Sequence, residues 1–215
     1  MAGTIQDQRT LLRDGLIVDG TGGAARRGSV LLDGRSIVAL GDLPREAGTS
    51  VDCEGKVIAP GFIDAHSHMD FFSASENPHH FDSFTAQGVT TFVAGNCGFS
   101  PFGFAPDTQH RSLLENSLFK AARETIDWNS FAEYREVLGG LGLTHNFVHL
   151  VGHGAARTSL SGFEARRLSE PERAQMLAIL DEALTEGAAG VSFGLQYKPG
   201  VFARLEELDD VARLV

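Results

Sequence analysis

The spacing of apolar residues divides the chain into two segments. The first, residues 10–60, consists of short apolar runs separated by turn residues, as in LLRDGLIVDG, GSVLLDGRSIVALG and TSVDCEGKVIAPG. Asp-Gly between apolar runs is a strong hairpin signal, so we expect turns at Asp14-Gly15, Asp19-Gly20 and Asp33-Gly34. This pattern predicts that residues 1–60 form a small β domain, a segment of the β-sandwich type.

From residue 61 onward the pattern predicts strands that alternate with helices. Four β-rich runs follow one another: GFIDAHSH, VTTFVAGN, NFVHLVGH and AGVSFGL. Such alternation indicates parallel βαβ units. Since an eight-fold barrel takes about 250 residues, we expect residues 61–215 to be the first four β/α units of a TIM-like (β/α)8 metal-dependent hydrolase barrel, truncated here. A small open α/β sheet that is complete as it stands is the alternative.

Three helix ends are marked by their residues. Ser130 with Glu133, and Ser169 with Glu172, have the spacing of a capping box, in which each side chain bonds the backbone of the other residue. Gly88 is placed to end a short helix that covers residues 81–87.

Composition and charge exclude several kinds of partner. The formal net charge is −10 and there is no basic run, which argues against nucleic acid or an anionic membrane surface as a partner. No apolar run approaches the roughly 20 residues of a membrane helix, and MAGTIQDQRT has no apolar core of a secretory signal. Two cysteines make no disulfide framework. We therefore expect a cytoplasmic protein, and we expect Cys53 to pack in the β domain.

The stretch GFIDAHSHMD carries an ionisable residue at every second position: Asp64, His66, His68 and Asp70. On a strand these four side chains share one face. Ionisable groups inside a fold are costly without a partner, and a cation is the simplest one. His66 and His68 would lie about 6.5 Å apart along the strand and could converge on a metal. We expect Asp64 to hydrogen-bond a ligand and Asp70 to be solvated; a strand with one polar, solvated face is the alternative.

Cys97, in VAGNCGFSP, is the next candidate metal ligand. It follows the second predicted strand between Gly95 and Gly98, which allow the backbone to approach a ligand closely. A thiolate binds zinc at about 2.3 Å. A small apolar filler is the usual fate of a lone cysteine, but the two nearby histidines favour ligation.

Three further side chains are candidates for substrate binding. His153 and Arg157, in LVGHGAAR, are predicted on the loop after the third strand, where the histidine could orient the substrate and the arginine could pair with a carboxylate. Tyr197, in FGLQYKPG, follows the fourth strand and faces the same barrel mouth. A hydrogen-bonded loop histidine and a surface arginine are the alternative.

Taken in order, these motifs resemble those of the amidohydrolase superfamily, whose first barrel strand supplies paired histidines. GNCGFSP, VGHGAAR and GVSFGLQYKPG narrow the resemblance to the N-acyl-D-amino-acid deacylases (D-aminoacylases), over nearly the whole chain. The resemblance implies an enzyme with one or two Zn2+ ions that hydrolyses the amide bond of an N-acyl-D-amino acid, a small molecule. It places His66 and His68 on the family's first-strand histidines, Cys97 on its cysteine ligand, and Tyr197 on a tyrosine that helps hold the substrate carboxylate.

The same resemblance implies that part of the catalytic site is missing. An aspartate that moves the proton and two more histidine ligands are expected beyond residue 215, so we expect the 215-residue piece alone to be inactive. A cyclic-amide hydrolase, similar to hydantoinases or dihydroorotases, and a non-catalytic scaffold with this fold remain as alternatives. Cys97 and the absence of a lysine from AGVSFGL argue against the first, and the intact His66, His68 and Cys97 argue against the second.

Overall fold

The computed structural model describes residues 9–47, 49–116 and 125–215. It divides into two compact units, Met1–Gly61 and Phe62–Val215. Most of the N-terminal stretch on which the absence of a secretory signal was predicted lies outside the described residues. Among the described residues, we find no helix with both the length and the apolar character needed to cross a membrane.

The first unit contains one mixed β-sheet. Antiparallel pairing joins β2 to β1 on one side and to β3 on the other, while β4 and β5 both run parallel to β1. Ile17, Val30, Cys53 and Ile58 form a small apolar core, which confirms the packing role of Cys53. The strands are β1 (Arg9–Ile17), β2 (Arg26–Asp33), β3 (Ser36–Gly41), β4 (Thr49–Asp52) and β5 (Val57–Ile58), with a 3-10 turn at Arg45–Ala47.

Two of the three predicted Asp-Gly turns connect strands in this sheet. Asp33-Gly34 links β2 to β3, and Asp19-Gly20 follows β1. The turn predicted at Asp14-Gly15 is wrong, because this pair lies inside β1. Asp14 has a φ of 63°, and the register with β2 shifts at this point, so the left-handed residue is accommodated as a β-bulge within a continuous strand.

The second unit alternates strands with helices, as predicted. β6, β7 and β8 form a parallel sheet, and β9 pairs in parallel with β10. The strands are β6 (Phe62–Asp64), β7 (Val89–Ala94), β8 (Asn146–His149), β9 (Val151–Gly152) and β10 (Val191–Ser192). The helices are α1 (Asp70–Ser73), α2 (Asp82–Ala86), α3 (Arg111–Leu114), α4 (Phe131–Leu141), α5 (His153–Ser161), α6 (Glu170–Thr185) and α7 (Leu205–Ala212), with 3-10 turns at Pro78–Phe81 and Gly200–Phe202. The mixed α/β class is thereby confirmed, while the eight-fold barrel stays a prediction.

The predicted helix ends are confirmed. Ser130 and Glu133 form a capping box at the start of α4, and Ser169 and Glu172 form one at the start of α6. Gly88 follows the cap of α2 with a φ of +79°. These local signals operate through hydrogen bonds within a few residues, which explains why the sequence suffices to predict them.

Two predictions about the segments after the strands are wrong. β6 ends at Asp64, so His66 and His68 lie in a turn rather than on the strand, and Asp70 begins α1. The segment after β9 is the helix α5, which starts at His153, rather than a loop. In both places the chain leaves the strand earlier than its apolar alternation suggests.

A single aromatic-rich core supports this unit. The buried cluster includes Phe102, Trp128, Tyr134, Met176 and Leu180. Burial of each such side chain contributes about 1.5–3 kcal/mol. The indole N–H of Trp128 donates to the Pro101 carbonyl over 2.6 Å, which fastens the segment that follows β7.

Candidate metal centre

His66, His68 and Cys97 meet at one place in the second unit. One ligand atom from each lies within 4.8 Å of the other two, and His66 Nε2 is 3.3 Å from Cys97 Sγ. A nitrogen and a sulfur bound to one tetrahedral zinc ion would be about 3.6 Å apart. Two imidazoles and a thiolate are also the donor types that zinc prefers. The three side chains therefore fit a divalent transition-metal ion.

Ser67, the residue between the two histidines, connects the turn after β6 to β7 and the residues that follow it by hydrogen bonds. Ser67 N donates to Val93 O over 3.1 Å, and the Asn96 amide donates to Ser67 O over 3.2 Å. Ser67 is buried, whereas His66 and His68 are exposed. The alternation of side chains thus persists past the end of β6 and leaves both imidazoles accessible.

The surroundings of His68 favour the neutral form of its imidazole. Its ring stacks on Phe71 with centroids 5.9 Å apart. Partial burial, and then the neighbouring His66, lower the pKa of His68 below its usual 6.5. A neutral imidazole is the form that binds a metal, so the surroundings of His68 favour ligation near neutral pH.

Cys97 has an unusual backbone conformation. Its φ is 60°, in the left-handed region, and it lies between Gly95 at +77° and Gly98 at +76°. A Cβ on Gly95 would come within 1.9 Å of Leu150 O, so only glycine fits there. The turn of residues 95–98, called here the Cys97 turn, brings a free, half-buried thiol next to the histidines.

Two aspartates lie beside the histidines. Asp64 Oδ1 accepts from the backbone N–H of His66 over 3.2 Å, so it fixes the chain at His66; the predicted bond to a ligand ring stays a prediction. The expectation that Asp70 is solvated is wrong, because Asp70 is fully buried. Asp70 Oδ2 accepts from Gly95 N over 2.9 Å, Oδ1 has no hydrogen-bond partner among the described residues, and burial raises the pKa of Asp70 to about 7.

His153 and Arg157 lie in a different setting from the one predicted. Both are fully buried on α5 and bind Glu207 of α7. His153 Nε2 is 2.8 Å from Glu207 Oε1, and an Arg157 terminal nitrogen donates to both carboxylate oxygens over 2.6 Å. Burial pushes the pKa of Glu207 up, but the hydrogen bond with His153 and the positive charge of Arg157 outweigh it, and the pKa lies below its usual value. Substrate binding by His153 or Arg157 stays a prediction, and it would require this pairing to open.

Glu207 is not among the residues predicted from the sequence. It lies in RLEELDDVARLV among five other acidic or basic residues that resemble a solvated helix face. Nothing in that pattern distinguishes a buried carboxylate. Only the three-dimensional pairing across 50 residues, with Arg157, identifies it.

Tyr197 lies beside the three candidate ligands. Its hydroxyl donates to Cys97 O over 2.6 Å, and its ring stacks on Phe99 with an interplanar angle of 11°. Tyr197 is 40% exposed. Burial of the hydroxyl, and then the proximity of Cys97, raise the pKa of Tyr197 to about 12. Tyr197 is therefore a neutral hydrogen-bond donor at the candidate metal centre.

Known proteins are similar to this chain in sequence and in fold. N-acyl-D-aspartate deacylase of Alcaligenes xylosoxydans xylosoxydans is 37% identical over 198 residues, which are 92% of this chain and 39% of that protein. A structure of N-acyl-D-glutamate deacylase from Bordetella bronchiseptica, with zinc and a phosphonate inhibitor, has a TM-score of 0.81 at 32% identity, over 95% of this chain and 42% of that one. A D-aminoacylase structure, from a study of its binuclear metal centre, has the same score at 33% identity and the same coverage.

The chain thus spans about two fifths of the length of these relatives. The profile of the amidohydrolase family matches residues 49–214, which include the three candidate ligands and Tyr197. The chain belongs to the amidohydrolase family.

Proposed function

We propose that the protein carrying this chain hydrolyses the amide bond of N-acyl-D-amino acids, giving a carboxylate and a free D-amino acid. The observation that carries the proposal is the meeting of His66, His68 and Cys97. The similarity to deacylases of N-acyl-D-aspartate and N-acyl-D-glutamate supports this substrate class. The substrate's own side chain stays open.

Zn2+ is the cofactor that we propose, as one ion or two. The donor set of two imidazoles and a thiol supports this choice over Mg2+ or Ca2+, which prefer oxygen ligands. When bound, zinc supplies a Lewis acid for the amide carbonyl and lowers the pKa of water towards neutrality. His66, His68 and Cys97 would be the ligands that this chain contributes, and a catalytic zinc site keeps a position open for water or substrate.

The chain's own residues would divide the remaining work. Asp64 fixes the backbone of His66. Tyr197, neutral and partly exposed, would donate a hydrogen bond to the substrate carboxylate when it releases Cys97 O. We further propose that the second unit contributes its strands to a (β/α)8 barrel. The proton-moving aspartate would come from outside the residues described, and we expect the 215-residue chain alone to be inactive.

The proposal also includes a location. Cys53 and Cys97 are both free thiols. Ligation by Cys97 needs its thiol unoxidised, which a reducing cytoplasm maintains. A cytoplasmic enzyme is therefore our inference.

Assays of the whole protein that carries this chain test the function. N-acetyl-D-amino acids, their L-enantiomers and a cyclic amide such as hydantoin would be offered with and without a chelator. We expect turnover of the D-enantiomers only, lost on chelation and restored by Zn2+. Turnover of hydantoin in place of the acyl amides would identify a cyclic-amide hydrolase, and no turnover by zinc-loaded protein would support a scaffold.

A further inference from the structure

The Cys97 turn needs an external restraint. A non-glycine residue in the left-handed region, such as Cys97, is strained and persists only where the surroundings impose this conformation. Relaxation of Cys97 to an ordinary φ would swing its thiol away from His66 and His68. Whatever holds the turn therefore determines whether the thiol can serve as a ligand.

One hydroxyl group bridges the two ends of this turn. Ser192, at the end of β10, accepts from Gly98 N over 2.9 Å and donates to Gly95 O. Gly95 and Gly98 lie on either side of Asn96 and Cys97, so the Ser192 side chain connects the two ends of the turn. Ser192 is 94 residues from Gly98 in the sequence. Ser192 is only 9% exposed, which keeps water from replacing it easily.

Close packing around the Cys97 turn favours a small residue with a hydroxyl group at position 192. A Cβ on Gly98 would come within 2.7 Å of Gly194 N, so the turn lies directly against the backbone that follows Ser192. Loss of the hydroxyl would leave a buried N–H and a buried carbonyl without this partner, which disfavours the conformation that the turn has here.

We propose that Ser192 is a positioning residue for Cys97: by bridging Gly95 O and Gly98 N, it holds the thiol near His66 and His68 and so raises the metal affinity of the site. This inference deepens the proposed function, because it rests on Cys97 as a ligand. Removal of an outer-shell partner of a metal ligand typically costs 10–100-fold in affinity.

Ser159 provides a matched control. It is 2% exposed, its hydroxyl accepts from Ala105 N over 2.9 Å, and it donates to Ala156 O over 2.7 Å. Ser159→Ala therefore removes the same pair of buried bonds as Ser192→Ala, in the same unit but outside the Cys97 turn. If Ser192 only stabilised the fold, Ser192→Ala and Ser159→Ala should change the zinc affinity to a similar extent.

The test measures metal binding in the whole protein, without substrate. Ser192→Ala and Ser159→Ala are each made in the native and the Cys97→Ala background, and the Kd for Zn2+ is measured by chelator competition. We expect Ser192→Ala to raise the Kd by about 10–100-fold in the native background and by less than about 2-fold beside Cys97→Ala. It should also weaken the thiolate-to-metal charge-transfer absorption of the Co2+ form, and Ser159→Ala should change neither quantity.

An equal loss of affinity in both backgrounds, or an unchanged Kd for Ser192→Ala, would overturn the proposal. Ser192→Thr and Ser192→Val form a second pair, equal in shape and different only in the hydroxyl, for the case in which the alanine variant does not fold. Thr should bind Zn2+ more tightly than Val, and equal affinity would contradict the bridge. Protein that binds zinc through Cys97 but does not cleave N-acyl-D-amino acids would remove the proposed function and leave the role of Ser192 intact.

Discussion

Two clusters of polar side chains in the second unit, both containing histidine, differ in what their polar atoms can reach. The metal cluster, His66, His68 and Cys97, has two exposed imidazoles and a half-buried thiol. The Glu207 cluster, which adds His153 and Arg157, is buried, and both of these side chains bond the Glu207 carboxylate. The first has nitrogen and sulfur atoms within 4.8 Å of one another at an accessible place, whereas the second has its carboxylate already bonded inside the fold.

The difference separates a candidate binding site from a cluster that only connects two helices. The Glu207 cluster is of the second kind and is called the brace below. In the sequence, both clusters contain a histidine that follows a predicted strand, and the pattern alone does not separate them. The brace joins α5 to α7, whereas the metal cluster joins the turns after β6 and β7 and leaves its ligand atoms available. Substitutions should therefore separate stability from metal binding.

The largest effect is expected where the brace is broken. Glu207→Ala leaves a buried arginine without its carboxylate, so the free energy of unfolding should fall by about 3–5 kcal/mol. Denaturant unfolding would measure it, with the exposed neighbour Glu206→Ala as the control. A loss of less than 1 kcal/mol would mean that the cluster does not brace the fold.

Removal of Cys97 should have the opposite result: a large loss of zinc affinity and little change in stability. Cys97→Ala deletes a half-buried thiol, so the Kd for Zn2+ should rise by at least about 100-fold, more than an outer-shell loss would cause, while the unfolding free energy of the metal-free protein changes little. Cys53→Ala, in the core of the first unit, is the control and should lower stability without changing the Kd. The reverse result would assign Cys97 to packing.

A smaller effect is expected at Tyr197. Tyr197→Phe keeps the stacking on Phe99 and removes the bond to Cys97 O, a contribution of about 0.5–1.5 kcal/mol, so zinc affinity should fall by up to about 10-fold. If the hydroxyl also holds the substrate carboxylate, KM should rise. Unchanged KM and Kd together would leave Tyr197 without either role.

The smallest effect is expected in the pH dependence of the free energy of unfolding, through the carboxylate of Glu207. Because the folded pKa of Glu207 lies below its ordinary 4.5, its stabilising contribution is fully present above about pH 4.5 and is lost as the pH falls through the folded pKa. Unfolding of the metal-free protein between pH 3 and 6 should show this slope, and Glu207→Gln should lack it. An identical slope in both proteins would assign the acid sensitivity to other groups.

Local signals account for what could be predicted from the sequence. The capping boxes at Ser130 and Ser169 and the glycine after α2 act within a few residues, and each is confirmed. The meeting of His66, His68 and Cys97 could be predicted because the two histidines lie two residues apart after β6, and Cys97 follows β7, the parallel neighbour of β6. Parallel strands bring their ends to one edge, which makes such a meeting a topological consequence.

Contacts between distant segments account for the rest. The burial of Asp70 depends on Gly95 N, and the pairing of Arg157 depends on Glu207. Asp14-Gly15 has the local chemistry of a turn, but neighbouring strands on both sides of β1 convert it into a bulge. None of these outcomes has a signal within the few residues that surround it.

X-ray absorption of the zinc-loaded whole protein tests the central claim most directly, because it counts the atoms bound to the metal. The account predicts a sulfur at about 2.3 Å together with imidazole nitrogens at about 2.0–2.1 Å, with the sulfur lost in Cys97→Ala and retained in Cys53→Ala. A coordination shell of nitrogen and oxygen alone in the native protein would contradict it.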